Sequence, residues 1–77
     1  MTGPKKRSVA IRGHRTSFSI EEPFLAELDR LARARGISLA ALVAEVDAAR
    51  PHGTNLSSAL RLHVLETIKR ESGRASE

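Results

Sequence analysis

Residues Arg15-Thr16-Ser17-Phe18-Ser19-Ile20, followed at once by Glu21-Glu22-Pro23, decide how the rest of the chain reads. Side chains of an extended segment alternate faces, so Thr16, Phe18 and Ile20 share one side while Arg15, Ser17 and Ser19 share the other. One side is apolar and the other is small, polar and basic. A lone strand of about six residues can neither bury its apolar side nor satisfy its backbone. It needs a second strand, and the nearest candidate is a copy of itself in a second chain.

Upstream, Ser8-Val9-Ala10-Ile11-Arg12 alternates in its own right. Gly13-His14 is a plausible two-residue turn, with glycine at the first central position as a type II′ hairpin prefers. That turn predicts Arg12 opposite Arg15, Ile11 opposite Thr16 and Val9 opposite Phe18. The apolar sides then coincide, but two arginines stand side by side on the other face and repel unless an anion lies between them. The alternative leaves residues 8–12 in a flexible basic arm with residues 1–7, where Gly3-Pro4 and Lys5-Lys6-Arg7 show no periodicity.

Downstream, three helices are expected. Acids at Glu21 and Glu22 and the early Pro23 mark a start, Phe24, Leu25, Leu28, Leu31 and Ala32 recur at helical spacing, and Gly36 follows Arg33 and Arg35 as a stop. Ser38 is a ready cap for a second helix with Leu39, Leu42, Val43, Val46 and Ala49 in one stripe, ended by Pro51-His52-Gly53. A third, capped by Thr54 or Asn55, runs to about Glu71 with Leu56, Leu60, Val64 and Ile68 as its main stripe. Leu62 and Leu65 fall on its other faces, which predicts a helix sandwiched between elements or subunits. Residues 72–77 are expected to fray as a disordered tail.

The chain has 77 residues and no cysteine. A domain this small buries only about 60% of its unfolded surface, so a partner would help it stand. Without cysteine there is no disulfide framework, thiolate zinc site or cysteine nucleophile, and a reducing cytosol fits best. Residues 1–7 lack the apolar core of a signal peptide and no apolar run is long enough for a membrane span, so a cytoplasmic protein without membrane contact is expected. The net charge is +4, with Lys5, Lys6, Arg7, Arg12 and Arg15 unopposed by any acid in the first twenty residues. That asymmetry points to a polyanion met by the strand end of the chain. Phe18 and Phe24 are the only aromatic residues, too few for a base-stacking surface for single strands. His14, His52 and His63 have no metal-ligand spacing, Glu21-Glu22 suits the helix dipole better than acid-base chemistry, and no catalytic residues or cofactor are expected.

The succession Thr16-Ser17-Phe18-Ser19-Ile20, Glu21-Glu22-Pro23-Phe24 through Leu31, Ala34-Arg35-Gly36-Ile37-Ser38 and Leu39-Ala40-Ala41-Leu42-Val43 resembles a ribbon-helix-helix domain. Lys6 to Ser17 and Asn55-Leu56-Ser57-Ser58-Ala59-Leu60-Arg61-Leu62 resemble, more narrowly, a bacterial subgroup of short proteins of that type. The likeness spans roughly residues 5–70. It implies a mainly α fold with a short N-terminal β-ribbon, formed as an antiparallel dimer whose ribbon lies in the DNA major groove. Carried over residue by residue, it makes Arg15, Ser17 and Ser19 base-reading and the Gly36-Ile37-Ser38 turn a phosphate clamp. Lys5, Lys6, Arg7 and Arg12 would add backbone attraction.

This chain departs from the family in a strand before the ribbon and a third helix after it. The reading is a domain over residues 8–71, an obligate homodimer with Phe18, Ile20, Leu28, Leu42 and Val46 in the dimer core, binding double-stranded DNA as a transcriptional repressor. The competing reading keeps the dimer but uses the third helix as an assembly module that binds another protein. If residues 8–12 pair with the ribbon's outer edge, the dimer sheet grows to four strands, which would not enter a groove about 12 Å wide as two do.

Overall fold

The structure is a computed structural model that describes residues 3–75, with side chains described to residue 73. Two strands, β1 (Lys5–Ile11) and β2 (His14–Ile20), form one antiparallel hairpin, followed by α1 (Glu22–Arg35), α2 (Leu39–Ala49) and α3 (Leu56–Ala75). Helices α2 and α3 lie against the hairpin, α2 touching β1 and α3 touching β2, and α1 packs on both of them. The fold is thus a two-stranded ribbon on a three-helix layer, as expected for the ribbon-helix-helix order with an added helix.

The hairpin exists, but its register differs from the expected one. Ile11 faces His14, Val9 faces Thr16, Arg7 faces Phe18 and Lys5 faces Ile20. The turn is therefore Arg12-Gly13 rather than Gly13-His14, and both residues have positive φ, 51° and 80°. Such turns follow the right-handed strand twist, which explains their preference in two-residue hairpins. The shift removes Arg12 from Arg15, which now faces Ala10, and so relieves the like-charge pair. It also brings Lys5 into the ladder, so the strand begins at Lys5 and residues 5–7 are not part of an arm. Of the rest of that expected arm, Gly3 and Pro4 are exposed and outside the strand, and Met1 and Thr2 lie outside the described residues.

Arginine in the left-handed region is the cost of this turn, roughly 1–2 kcal/mol for a residue with a Cβ. Asparagine tolerates it better, and Asn-Gly is the preferred pair. Arg12→Asn is expected to raise stability by several tenths to about 1 kcal/mol, read as a higher urea midpoint at unchanged slope.

Helix α1 begins after Glu21, with Pro23 in its first turn, and ends at Gly36 (φ 69°). The Ile37 amide donates to Ala32 O and that of Gly36 to Arg33 O, both at 3.0 Å, a glycine-dependent closure that pairs carbonyls the helix leaves open. Ser38 caps α2 as expected, its hydroxyl accepting from the Ala41 amide at 3.0 Å. Asn55, rather than Thr54, caps α3 by accepting from the Ser58 amide at 2.8 Å. Helix α3 continues past the expected end near Glu71 to Ala75. Pro is absent there, and one glycine, Gly73, costs only about 1 kcal/mol in a helix. Ser76 and Glu77 of the expected tail lie outside the described residues.

The core comprises Phe18 and Ile20 from β2, Leu28, Leu31 and Ala32 from α1, Leu42, Val43 and Val46 from α2, and Leu56, Ala59, Leu60 and Val64 from α3. All five residues expected in a dimer core are buried within one chain, Phe18 to 4% and Ile20 to 1% exposure. None requires a second chain to leave water. The expected stripes fray at their ends, since Ala49 is exposed and Ile68 is 38% exposed. Leu62 and Leu65 stand at 53% and 50% exposure, so nothing in the single chain sandwiches α3.

Candidate nucleic-acid interface

Strand parity and the hairpin register together build the outward surface. Val9, Ile11, Thr16, Phe18 and Ile20 point towards the helices, which leaves Lys6, Ser8 and Ala10 of β1 on the same outward side as Arg15, Ser17 and Ser19 of β2. All six are exposed. Ser8 Oγ and Ser17 Oγ lie 3.4 Å apart across the ribbon, as befits residues directly opposite on one face. The three expected base-reading residues are thus brought together and uncovered. Residues 8–12 lie beside β2, not over its outward face.

The basic triplet divides. Lys6 joins the outward face, whereas Lys5 and Arg7 take the helix-facing parity. Lys5 Nζ is 2.8 Å from Glu22 Oε1 at the start of α1. That ammonium holds the Glu22 carboxyl below its ordinary range, first through their hydrogen bond, with a smaller contribution from Arg7. Lys5 therefore ties ribbon to helix and is not part of the outward cationic surface. Arg12 sits at the ribbon's tip, in the turn.

A second tie is one that sequence reasoning missed. Arg61 of α3 donates through Nε to Glu21 Oε1 at 2.7 Å and through Nη2 to Glu21 Oε2 at 3.3 Å. This forked contact lowers the Glu21 pKa, the Arg61 hydrogen bond being the largest cause. Two acids at a helix start have an adequate local explanation in the dipole, so nothing in the sequence pointed to partners forty residues away and in β1.

Both carboxylates have lowered folded-state pKa values, so their stabilisation is present above the ordinary carboxylate value of about 4.3. It is lost as pH falls through the lowered values. Stability is accordingly expected to drop from about pH 5 towards pH 2. Urea midpoints measured across that range should fall less steeply for Glu21→Gln/Glu22→Gln than for the unaltered chain.

The expected phosphate clamp changes in detail. The Gly36 and Ile37 amides already donate to the end of α1, and Ile37 packs against the core. What the turn can offer an anion is the Ser38 hydroxyl and the amides of Leu39 and Ala40, which belong to the first turn of α2 and have no acceptor within their own helix. Arg35 is engaged by Glu45, Nη1 to Oε1 at 3.1 Å and Nη2 to Oε2 at 2.9 Å.

No described helix is long and apolar enough to cross a membrane. Comparison with curated proteins and with solved structures gives no match. A family model described as a ribbon-helix-helix domain matches residues 4–68, from the residue before β1 to well inside α3. The match takes in the hairpin, the Gly36 turn and the first three turns of the third helix alike, and on that ground the chain belongs to the ribbon-helix-helix family, whose domains generally bind DNA as dimers and regulate transcription.

Proposed function

We propose that the protein is a sequence-specific duplex-DNA-binding repressor, two copies acting together on an operator, with the outward ribbon face in the major groove. The observation that carries this reading is the uncovered polar face on which Arg15, Ser17 and Ser19 converge. Arginine can contact guanine O6 and N7 together, and serine can donate or accept at several base edges. A ribbon of two strands about 4.8 Å apart fits a groove about 12 Å wide. Ser38, with the Leu39 and Ala40 amides, would anchor a phosphate beside the groove.

Selection of bound sequences from a random duplex pool tests the reading. A recovered consensus is expected, and binding to it should weaken with salt, each neutralised phosphate adding about −0.9 to the slope of log affinity against log salt. No consensus, or a slope near zero, would sink it. Exposed Leu62 and Leu65 favour one second reading, an assembly module built on α3. Sedimentation separates the two: species larger than a dimer that vanish with Leu62→Ser/Leu65→Ser would support assembly.

A further inference from the structure

We infer that Arg61 is a positioning residue for DNA reading: by gripping Glu21 it sets the angle between β2, which carries Arg15, Ser17 and Ser19, and the helix layer that presents Ser38. This rests on the DNA-binding reading above. It gives a role to α3, which the strand and two helices of the family pattern do not include.

The junction that Arg61 holds is one residue long. Strand β2 ends at Ile20 and α1 begins at Glu22, so Glu21 alone links them, in an extended conformation (φ −69°, ψ 147°). Its carbonyl accepts from the Leu25 amide at 3.0 Å and so belongs to the first turn of α1. Each residue has only two soft backbone dihedrals, and a change in either at Glu21 swings the ribbon against the helices as a lever. The side chain is where that change is resisted. Arg61 Nε and Nη2 lie 2.7 and 3.3 Å from the two carboxylate oxygens, and a planar fork fixes orientation as well as distance. Arg61 follows the fully buried Leu60, so its guanidinium is carried by a helix already seated in the core. One turn earlier on the same helix, Ser57 Oγ accepts from the Ser19 amide at 3.1 Å. Helix α3 thus holds the chain on both sides of the buried Ile20, by backbone at Ser19 and by side chain at Glu21.

Base reading and phosphate anchoring are made by different elements, the ribbon and the start of α2, against one duplex. Hydrogen bonds tolerate little error in distance or angle, so a wrong angle between the two elements loses one set of contacts whenever the other is made. The Arg61–Glu21 pair is about one-third exposed, and such pairs contribute little to stability. Its geometry can therefore be removed without unfolding the chain. The rival explanation is charge cancellation, because Glu21 stands two residues from Ser19 and a carboxylate released by loss of Arg61 would repel phosphate. The two explanations differ in what a second substitution does.

Fluorescence anisotropy of the full chain on its selected duplex and on an unrelated duplex, at fixed salt, separates them. Arg61→Ala is expected to raise the dissociation constant for the selected duplex about 10-fold, within the range of one base contact. The loss on unrelated duplex should be much smaller, and the urea midpoint close to that of the unaltered chain. Arg61→Ala/Glu21→Gln has no stray carboxylate and is expected to keep the specific loss. Recovery in that double variant, or equal losses on both duplexes in the single one, would overturn the inference. Arg61→Lys keeps the charge without the fork, and should restore binding to unrelated duplex but not the preference, whereas full restoration would make the pair a charge effect and overturn its positioning role. Residual dipolar couplings of the backbone amides, taken without DNA, report the angle itself. In Arg61→Ala those of β2 should no longer fit the alignment of the three helices, and an unchanged fit would overturn the inference with DNA binding intact. Failure of the unaltered chain to select any sequence would instead overturn the DNA-binding reading and the positioning role with it, even where the angle changes.

Discussion

Leu60→Ala is expected to lower the free energy of unfolding by about 2–5 kcal/mol, the range for truncating a buried leucine in a core that relaxes only partly. Leu60 is fully buried, in the middle of the α3 face that covers β2 and α1. A domain of this length has roughly 4–12 kcal/mol in total at 0.05–0.15 kcal/mol per residue. The variant therefore loses a large share of its stability, and it is unfolded at room temperature if the loss exceeds the total. Urea titration followed by circular dichroism measures the loss. Leu65→Ala, one residue and about 100° round the helix from the buried Val64 and half exposed, should change the midpoint little. Equal losses for the two would mean that α3 does not pack as described.

Arg15→Ala is expected to raise the dissociation constant for the selected sequence about 5- to 150-fold, the equivalent of 1–3 kcal/mol for one bidentate base contact. Folding should be unaffected, because Arg15 is exposed and its neighbour across the ribbon is Ala10. The affinity for unrelated duplex should fall much less, so the ratio of specific to nonspecific binding collapses. Fluorescence anisotropy with both duplexes at fixed salt gives that ratio. Should both affinities drop equally, Arg15 is a backbone contact, and base reading must lie elsewhere on the ribbon. Arg15→Lys keeps the charge but not the planar fork, and is expected to recover nonspecific affinity without recovering the full preference.

Much of this molecule was legible one element at a time. Helix α1 reads from Pro23, the acid pair and Gly36, and α2 reads from Ser38, because caps act within one turn of the residues that carry them. The polar side of β2 reads from parity alone. The hairpin register did not, for a definite reason: two registers two residues apart keep every side chain on the same face, so the apolar pattern accepts both. The choice came from contacts outside the pattern, with Arg12 leaving Arg15 and Lys5 reaching Glu22. Ser8 could have been placed on the outward face from the alternation of Val9 and Ile11. Its partner Ser17 could not be identified until the register was known.

Local patterning, then, determined by itself that this chain has a ribbon side and a helical side, and that Arg15, Ser17 and Ser19 face away from the helices. Side-chain alternation and end-capping are short-range properties and survive in any packing. Tertiary structure alone decided that Phe18, Ile20, Leu28, Leu42 and Val46 are covered within one chain, that Ser57 closes part of the β2 edge and that Arg61 grips Glu21. The last two depend on where α3 lies, about forty residues along the chain from Ser19 and Glu21. The amphipathic pattern of a helix says only that it has an apolar side, and the choice of surface belongs to the packing of the whole.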